Sequence, residues 1–433
     1  MAEHDDQGLV LTTESPAAAA ALRGALDDFF AYRLSASDRL KAAVAADPGF
    51  LMAQVMRGFF LLLLGTRGAL EKAARLEDEL RPLAAGVTAR EAAHLEAFAA
   101  WRRGDNPRAA AVWGAIADEH PRDLLALKLQ HLNAFWMGQA ETLLEGPAGA
   151  LSAWAPTDRG YGTLLAMLAF GLGETGDLPA AERWGRAAVE AEPADLWGWH
   201  AVAHSLEMQE RWEDGRRWLS VDPALWADRN PFKSHVWWHQ ALFHLEGGDD
   251  ETVRALYRRD VLPDAQQFYL GVQNAVSLLA RLELLGLDVA AEWPALADIA
   301  ESRAGDLVLP FTDLHCVLAL AAAGRFEAAE AWLPAMADAI STLPGYAAAG
   351  PVVVPVAEGV IAFYRRDWRT AVEKLHPLRQ RLAPVGGSRT QRDLFLQLLL
   401  VSAHRSGQAA LARQLLSGRR LSRPQGRLLA ALA

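Results

Sequence analysis

The chain has 433 residues, 52% of them hydrophobic, with a formal net charge of -10 and a single cysteine, Cys316. The negative charge argues against nucleic acid or an anionic membrane surface as the partner, because both attract an excess of Lys and Arg. One cysteine excludes an internal disulfide framework and a cysteine-rich zinc site, and it favours a reducing compartment. A small-molecule substrate, or a protein or peptide ligand, is the expected partner, and a homodimer stays open.

The N-terminal residues 1–10 carry acids and lack the apolar segment of a secretory signal, and we expect them to be disordered. The strongest apolar stretch, residues 59–64, is far shorter than the roughly 20 residues that a membrane-spanning helix needs. These features predict a cytoplasmic protein.

From residue 11 onward the chain repeats one unit: an apolar helix, a short turn, and a second helix rich in alanine. The turns recur at a spacing of roughly 34 to 42 residues, which is typical of helix-turn-helix solenoids. They fall at Gly104-Asp105, Gly138-Gln139, Gly176-Asp177, Arg211 to Asp214, Gly248-Asp249, Gly286 to Asp288, Gly324-Arg325, Asp367-Trp368 and Gly407-Gln408.

Prolines end the second helices, as at Asp47-Pro48, His120-Pro121 and Glu192-Pro193. Strand signals are nearly absent, and the β-branched run at residues 352–356 has a proline on either side, so a loop or a helix entry is expected there. The sequence therefore predicts an all-α fold, an α-solenoid of tetratricopeptide-like hairpins that curls into a superhelix. Residues 11–433 would form one continuous array of about ten or eleven hairpins.

Unusual polar residues lie on the first helices, each before its turn. Two histidine pairs stand out: His200 and His204 with Glu207, and His235 and His239 with Glu246. Pairs spaced i, i+4 share one helix face. If neighbouring first helices pack side by side, four imidazoles and two carboxylates would face one another. The expected site is formed by the segments around residues 195–246, 313–320 and 388–398.

Three interpretations of the histidines stay open. The first is a divalent metal site for zinc, iron or manganese, with His200, His204, His235, His239, Glu207 and Glu246 as candidate ligands. The second is metal-free acid and base catalysis, with the pKa values of the histidines separated by burial and by the glutamates. The third is structural, because a histidine on an inner helix face is usually hydrogen-bonded to the next helix.

The remaining candidates would close the site. His315 and Asp393 join His200, His204, Glu207, His235 and His239 as catalytic candidates. Trp238 offers an aromatic wall, and Arg392 can clamp a substrate carboxylate or bridge to a neighbouring hairpin. The candidates for substrate binding are Trp238, His131, Asp313, Gln391 and Arg392.

Four strings carry a resemblance to a known family: His200-Ala-Val-Ala-His204-Ser-Leu-Glu207-Met208, His235-Val-Trp-Trp238-His239-Gln-Ala-Leu242, Asp313-Leu-His315, and Gly386-Gly-Ser388-Arg-Thr-Gln391-Arg392-Asp393-Leu-Phe395. In the same order, from about Leu11 to the C-terminus, the chain resembles the tetratricopeptide repeat protein 38 family, and it looks like a bacterial member. Leu314 departs from the small residue expected between the acid and the histidine. The resemblance implies a helical repeat fold in the cytoplasm, and it supplies positions but no reaction.

Two functions follow from these patterns. The main expectation is a small-molecule enzyme, a hydrolase or a lyase, with a central pocket lined by His, Glu and Trp. The alternative is a non-catalytic interaction scaffold that binds a peptide in its concave groove. Grooves of that kind usually present Lys, Arg and Asn on the first helices, whereas this chain presents His, Trp and Glu.

Overall fold

The computed structural model describes residues 3–422 and 426–432, with side chains described except at 420–422. Within these residues the fold is all-α apart from one short pair of strands, as predicted. The helices are α1 Pro16–Phe30, α2 Ala36–Ala46, α3 Leu51–Leu62, α4 Arg67–Leu80, α5 Ala89–Arg102, α6 Asn106–Glu119, α7 Leu124–Met137, α8 Ala140–Ala150, α9 Tyr161–Thr175, α10 Leu178–Ala191, α11 Leu196–Met208, α12 Trp212–Trp218, α13 Phe232–Glu246, α14 Asp250–Leu256, α15 Tyr269–Leu284, α16 Trp293–Ser302, α17 Pro310–Ala322, α18 Phe326–Thr342, α19 Pro344–Ala347, α20 Gly350–Tyr364, α21 Trp368–Leu375, α22 Arg389–Arg405, α23 Ala409–Ser422 and α24 Arg427–Leu432.

The predicted turns join consecutive helices, and two local devices explain why the chain reverses there. Gly104 and Gly176 have φ values of 73° and 106°, a region that side chains with a Cβ avoid. The aspartate that follows each of these glycines then caps the next helix. The Asp105 and Asp177 carboxylates accept the N–H of the residue three positions on, each at 3.1 Å. The α-solenoid class is confirmed by these helical hairpins.

Helix ends also follow the sequence. Helices α2, α6 and α10 stop at Ala46, Glu119 and Ala191, each two residues before a proline. The β-branched run at residues 352–356 lies inside α20, so the predicted helix entry is confirmed.

The N-terminal stretch differs from the expected disorder. Its described part contains β1 (Glu3–His4) paired antiparallel with β2 (Val10–Leu11). The Asp5 carboxylate accepts the backbone N–H of Gln7 at 3.0 Å and of Leu9 at 2.8 Å, and these bonds hold the connecting turn.

The chain divides into two compact units. The first comprises residues 1–135, 139–202 and 221–233, and the second comprises residues 136–138, 203–220 and 234–433, as far as they are described. The boundary cuts α11 between Val202 and Ala203. One continuous array over residues 11–433, its number of hairpins and its superhelical curl stay predictions.

Helix α15 lies at the centre of the second unit, where it packs against α17 and α22. Nearly every residue of α15 is buried, as expected for a helix surrounded by others. A large cluster of buried apolar residues in this unit includes Trp238, Trp293 and Phe395. Each such side chain contributes about 1.5–3 kcal/mol on burial. Among the described residues, no helix is long and apolar enough to cross a membrane.

Candidate metal centre

All predicted site residues lie on helices that precede a turn. His131 is on α7, His200, His204 and Glu207 are on α11, His235, Trp238, His239 and Glu246 are on α13, Asp313 and His315 are on α17, and Gln391, Arg392 and Asp393 are on α22.

Three histidines of the second unit converge. His204, His235 and His239 each offer a ring nitrogen within 4.8 Å of the others, and their exposed fractions are 2%, 2% and 0%. The ring centroids of His204 and His239 are 4.4 Å apart, and those of His235 and His239 are 4.9 Å apart. His200 lies one turn before His204 on the same helix, in the part of α11 that belongs to the first unit. The spacing of the histidines in the sequence therefore did identify a real cluster.

The tautomer of His235 follows from its neighbour on α15. His235 Nδ1 lies 2.7 Å from Asn274 Oδ1, and both atoms are buried. An amide oxygen only accepts hydrogen bonds, so Nδ1 carries the proton and donates it. The lone pair of His235 is therefore on Nε2.

Burial keeps the imidazoles of His235 and His239 neutral. It lowers the pKa of His235 to about 4. It also holds the pKa of His239 well below its ordinary value, an effect to which His204, His235 and Arg281 add. General acid and base catalysis works best with a pKa near the working pH. Neutral imidazoles are what a metal ion binds, so this environment favours the metal interpretation over the metal-free one.

Two charged residues belong to the surroundings of the three histidines, Arg281 on α15 and Glu207 on α11. The Arg281 guanidinium donates to the backbone oxygen of Thr390 at 2.9 Å and to the Ser277 hydroxyl, and its central carbon lies 5.5 Å from the Trp238 ring centre. The Thr390 hydroxyl in turn donates to the Glu207 carboxylate. The Glu207 carboxylate is thus hydrogen-bonded to α22. Among the described residues, it does not belong to the group of ligand atoms that lie within 4.8 Å of one another.

The sequence interpretation missed Asn274 and Arg281. Their signal was present, because Asn274, Ser277 and Arg281 recur at i, i+3 and i+7 in a mostly apolar helix and so share one face. Polar side chains at that spacing in a buried helix need buried partners.

The α17 candidates have local partners. His315 Nδ1 lies 2.7 Å from the backbone oxygen of Phe311 and donates to it. The Tyr346 hydroxyl donates to the Asp313 carboxyl at 3.0 Å. Burial raises the pKa of Asp313 to about 8, so its carboxyl is mostly neutral at pH 7. Neither residue belongs to the histidine group among the described residues.

The candidates on α22 stabilise the start of that helix and its contact with α23. Gln391 and Ser388 form a capping box, and Arg392 donates to the Gly387 backbone oxygen. Asp393 accepts two bonds from Arg419, at 2.6 and 2.8 Å.

Glu246, on α13, has a partner in the last described helix. Its carboxylate accepts the backbone N–H of Arg427 at 2.7 Å. Like Glu207, it lies outside the group of described ligand atoms that converge within 4.8 Å.

His131 lies in the first unit, edge-on to Phe170 and Trp197. The ammonium of Lys128, one turn earlier, is 4.5 Å from the Trp197 ring centre, and burial lowers the pKa of Lys128 to about 8. The surroundings of His131 are therefore aromatic and cationic.

A second buried histidine of the first unit, His94, contacts an acid. Its Nε2 lies 3.0 Å from the Asp123 carboxylate, which also accepts from Arg90 at 2.8 Å. Burial alone would raise the pKa of Asp123, but His94 and Arg90 outweigh burial and hold that pKa well below its ordinary value.

No family model matches the chain. Among solved structures, it is similar to the Rap protein complexed with competence and sporulation factor, at 12% identity and a TM-score of 0.42, with 83% of this chain and 99% of that one covered. It is also similar to Naa15/Naa10 bound to HypK-THB, at 14% identity and a TM-score of 0.25, with 95% of this chain and 64% of that one covered. At these TM-scores neither likeness supports a conclusion about this chain.

Proposed function

We propose that the chain is a non-catalytic helical-repeat scaffold that binds a protein or peptide partner along its first helices. The observation that carries this proposal is that predicted catalytic and metal-ligand residues make contacts between helices. Asp393 pairs with Arg419, Glu246 accepts from Arg427, and Glu207 accepts from Thr390. Residues that join hairpins in this way stabilise a platform, and helical-repeat platforms commonly serve as binding surfaces.

Membership of the tetratricopeptide repeat protein 38 family and a cytoplasmic location belong to the same proposal. The ordered strings around His200, His235, Asp313 and Gly386 support the family, and the single cysteine supports a reducing compartment. A scaffold of this kind is compatible with both.

The test uses a matched pair of charge reversals. Arg57 is exposed on the first helix α3, and Lys72 is exposed on the second helix α4. A partner found by cross-linking to the wild-type chain is purified and titrated by calorimetry. We expect a one-to-one complex that Arg57→Glu weakens about tenfold and Lys72→Glu leaves unchanged, because only the first helices line the binding surface. Equal affinity in both variants would contradict binding along the first helices.

A small-molecule hydrolase or lyase is the second candidate, and the three convergent imidazoles favour it. Three histidine ligands leave a fourth position at zinc for water, whose pKa the ion lowers to about 7. A screen of esters, amides and amino-acid derivatives tests this function. Turnover that disappears in a folded His204→Ala variant would replace the scaffold proposal, and a blank screen with metal-loaded protein would remove the enzyme.

A further inference from the structure

The donor atoms at the centre of the second unit are all of one kind. His204, His235 and His239 are buried, come from α11 and α13, and bring their ring nitrogens within 4.8 Å of one another. Imidazole nitrogen suits zinc, copper, iron and nickel, whereas manganese, magnesium and calcium prefer carboxylate and carbonyl oxygen. No carboxylate belongs to this group in the described part of the chain.

We propose that His204, His235 and His239 bind a transition-metal ion, with Zn²⁺ as the resident metal. This inference holds for a scaffold and for an enzyme alike, because the ion would join α11 to α13 in either case. Of the three metals expected from the sequence, the imidazole donors disfavour manganese, which prefers oxygen ligands, and they suit zinc and iron. It also removes Glu207 and Glu246 from the ligand set, leaving histidines alone.

The contact between His235 and Asn274 supports the proposal independently of the cluster. Histidine ligands of metals almost always donate their other ring N–H to a carboxylate, a carbonyl or water, which fixes the tautomer and the ring orientation. His235 Nδ1 makes this bond with Asn274 Oδ1 at 2.7 Å, from a different helix. An apolar core would not need a buried amide at Asn274, whereas a metal ligand needs that partner.

The charges around the group are compatible with an added cation. The guanidinium of Arg281 is a positive group in these surroundings, and it is engaged with Thr390 and Ser277. Glu207, held by the Thr390 hydroxyl, supplies a buried negative charge on the same helix as His204. The Glu207 carboxylate, on the same helix as His204, would therefore serve as a counter-charge to a dication bound by the histidines.

The experiment measures metal content by mass spectrometry and metal affinity by titration of the full chain. We expect one zinc per wild-type chain, and tetrahedral visible bands when Co²⁺ replaces it. His204→Ala and His239→Ala should lose the metal. His404→Ala is the matched control, because His404 is an exposed histidine of the same unit, and it should keep the metal.

Two further variants keep the test decisive if an alanine variant does not fold. Asn274→Leu should weaken zinc binding by about 10–100-fold, since it removes the group that orients His235. Glu207→Gln should retain the metal, because Glu207 is not a ligand. The proposal is overturned if wild-type protein takes up no stoichiometric zinc, or if folded His204→Ala and Asn274→Leu bind it as wild type does.

Discussion

The two units use buried histidine in opposite ways. In the first unit, His94 contacts the Asp123 carboxylate, which Arg90 also contacts. In the second unit, His204 and His239 contact each other and lie beside His235. The partner of the buried histidine is different in each unit. His94 is hydrogen-bonded to a carboxylate that also binds Arg90, whereas the neighbouring imidazoles of His204 and His239 support the proposed metal site.

Removing the carboxylate of the His94–Asp123 pair should lower the stability of the protein most. Asp123→Ala leaves Arg90 and His94 buried without their acid, so we expect the free energy of unfolding to fall by about 3–5 kcal/mol. Urea denaturation followed by circular dichroism measures it. Asp38→Ala is the control, since the Asp38–Lys41 pair is exposed and its loss should be barely measurable. Equal losses in both variants would show that the pair does not stabilise the first unit.

In the second unit, the stability of the folded state should depend on pH through Asp313. An aspartate of the unfolded chain loses its proton near pH 4, whereas buried Asp313 keeps it until about pH 8. The folded state therefore binds more protons across this window, and stability falls as pH rises, by up to about 1.4 kcal/mol per pH unit.

Asp313→Asn should flatten this slope, because the amide stays neutral and still accepts from Tyr346. Unfolding free energies of both proteins at pH 5 and pH 8 measure the difference. A wild-type slope that the substitution leaves unchanged would assign the pH dependence to another group.

Replacing Asp393 tests whether this residue stabilises the fold or helps to bind the metal. Asp393→Ala leaves the nearly buried Arg419 without its bidentate partner, so a loss of about 1–3 kcal/mol is expected. Zinc content should stay at the wild-type value. A variant that keeps its stability and loses the metal would place Asp393 in the centre after all.

Local features made the fold predictable from the sequence. The Gly104-Asp105 and Gly176-Asp177 turns each combine a glycine at positive φ with an aspartate cap, and both act within about five residues. The shared face of each histidine pair was predictable as well, because the i, i+4 spacing also acts over only a few residues.

The partners of the site were not predictable, because they are distant in sequence. Asn274 lies 39 residues from His235, and Arg281 lies 109 residues from Thr390. The sequence predicts Asp393 in the site from its position on a first helix, and only the packing of α23 on α22 shows Arg419 beside it.

The smallest effect concerns a helix end. Ser388→Ala removes the side chain that accepts the Gln391 N–H at the start of α22, and it should cost about 1 kcal/mol. Thermal unfolding measures the change. Thr88→Ala removes the corresponding capping box of α5 in the first unit and should cost a similar amount. A much larger loss at Ser388 would mean that the start of α22 also supports the histidine centre through Thr390.

Anomalous scattering at the zinc edge, from crystals grown without chelator, shows directly whether His204, His235 and His239 bind zinc. We predict one strong peak among the rings of His204, His235 and His239, and no peak beside His94 and Asp123. A map without density between the three imidazoles, from protein supplied with zinc, would contradict the assignment of this cluster as a metal centre.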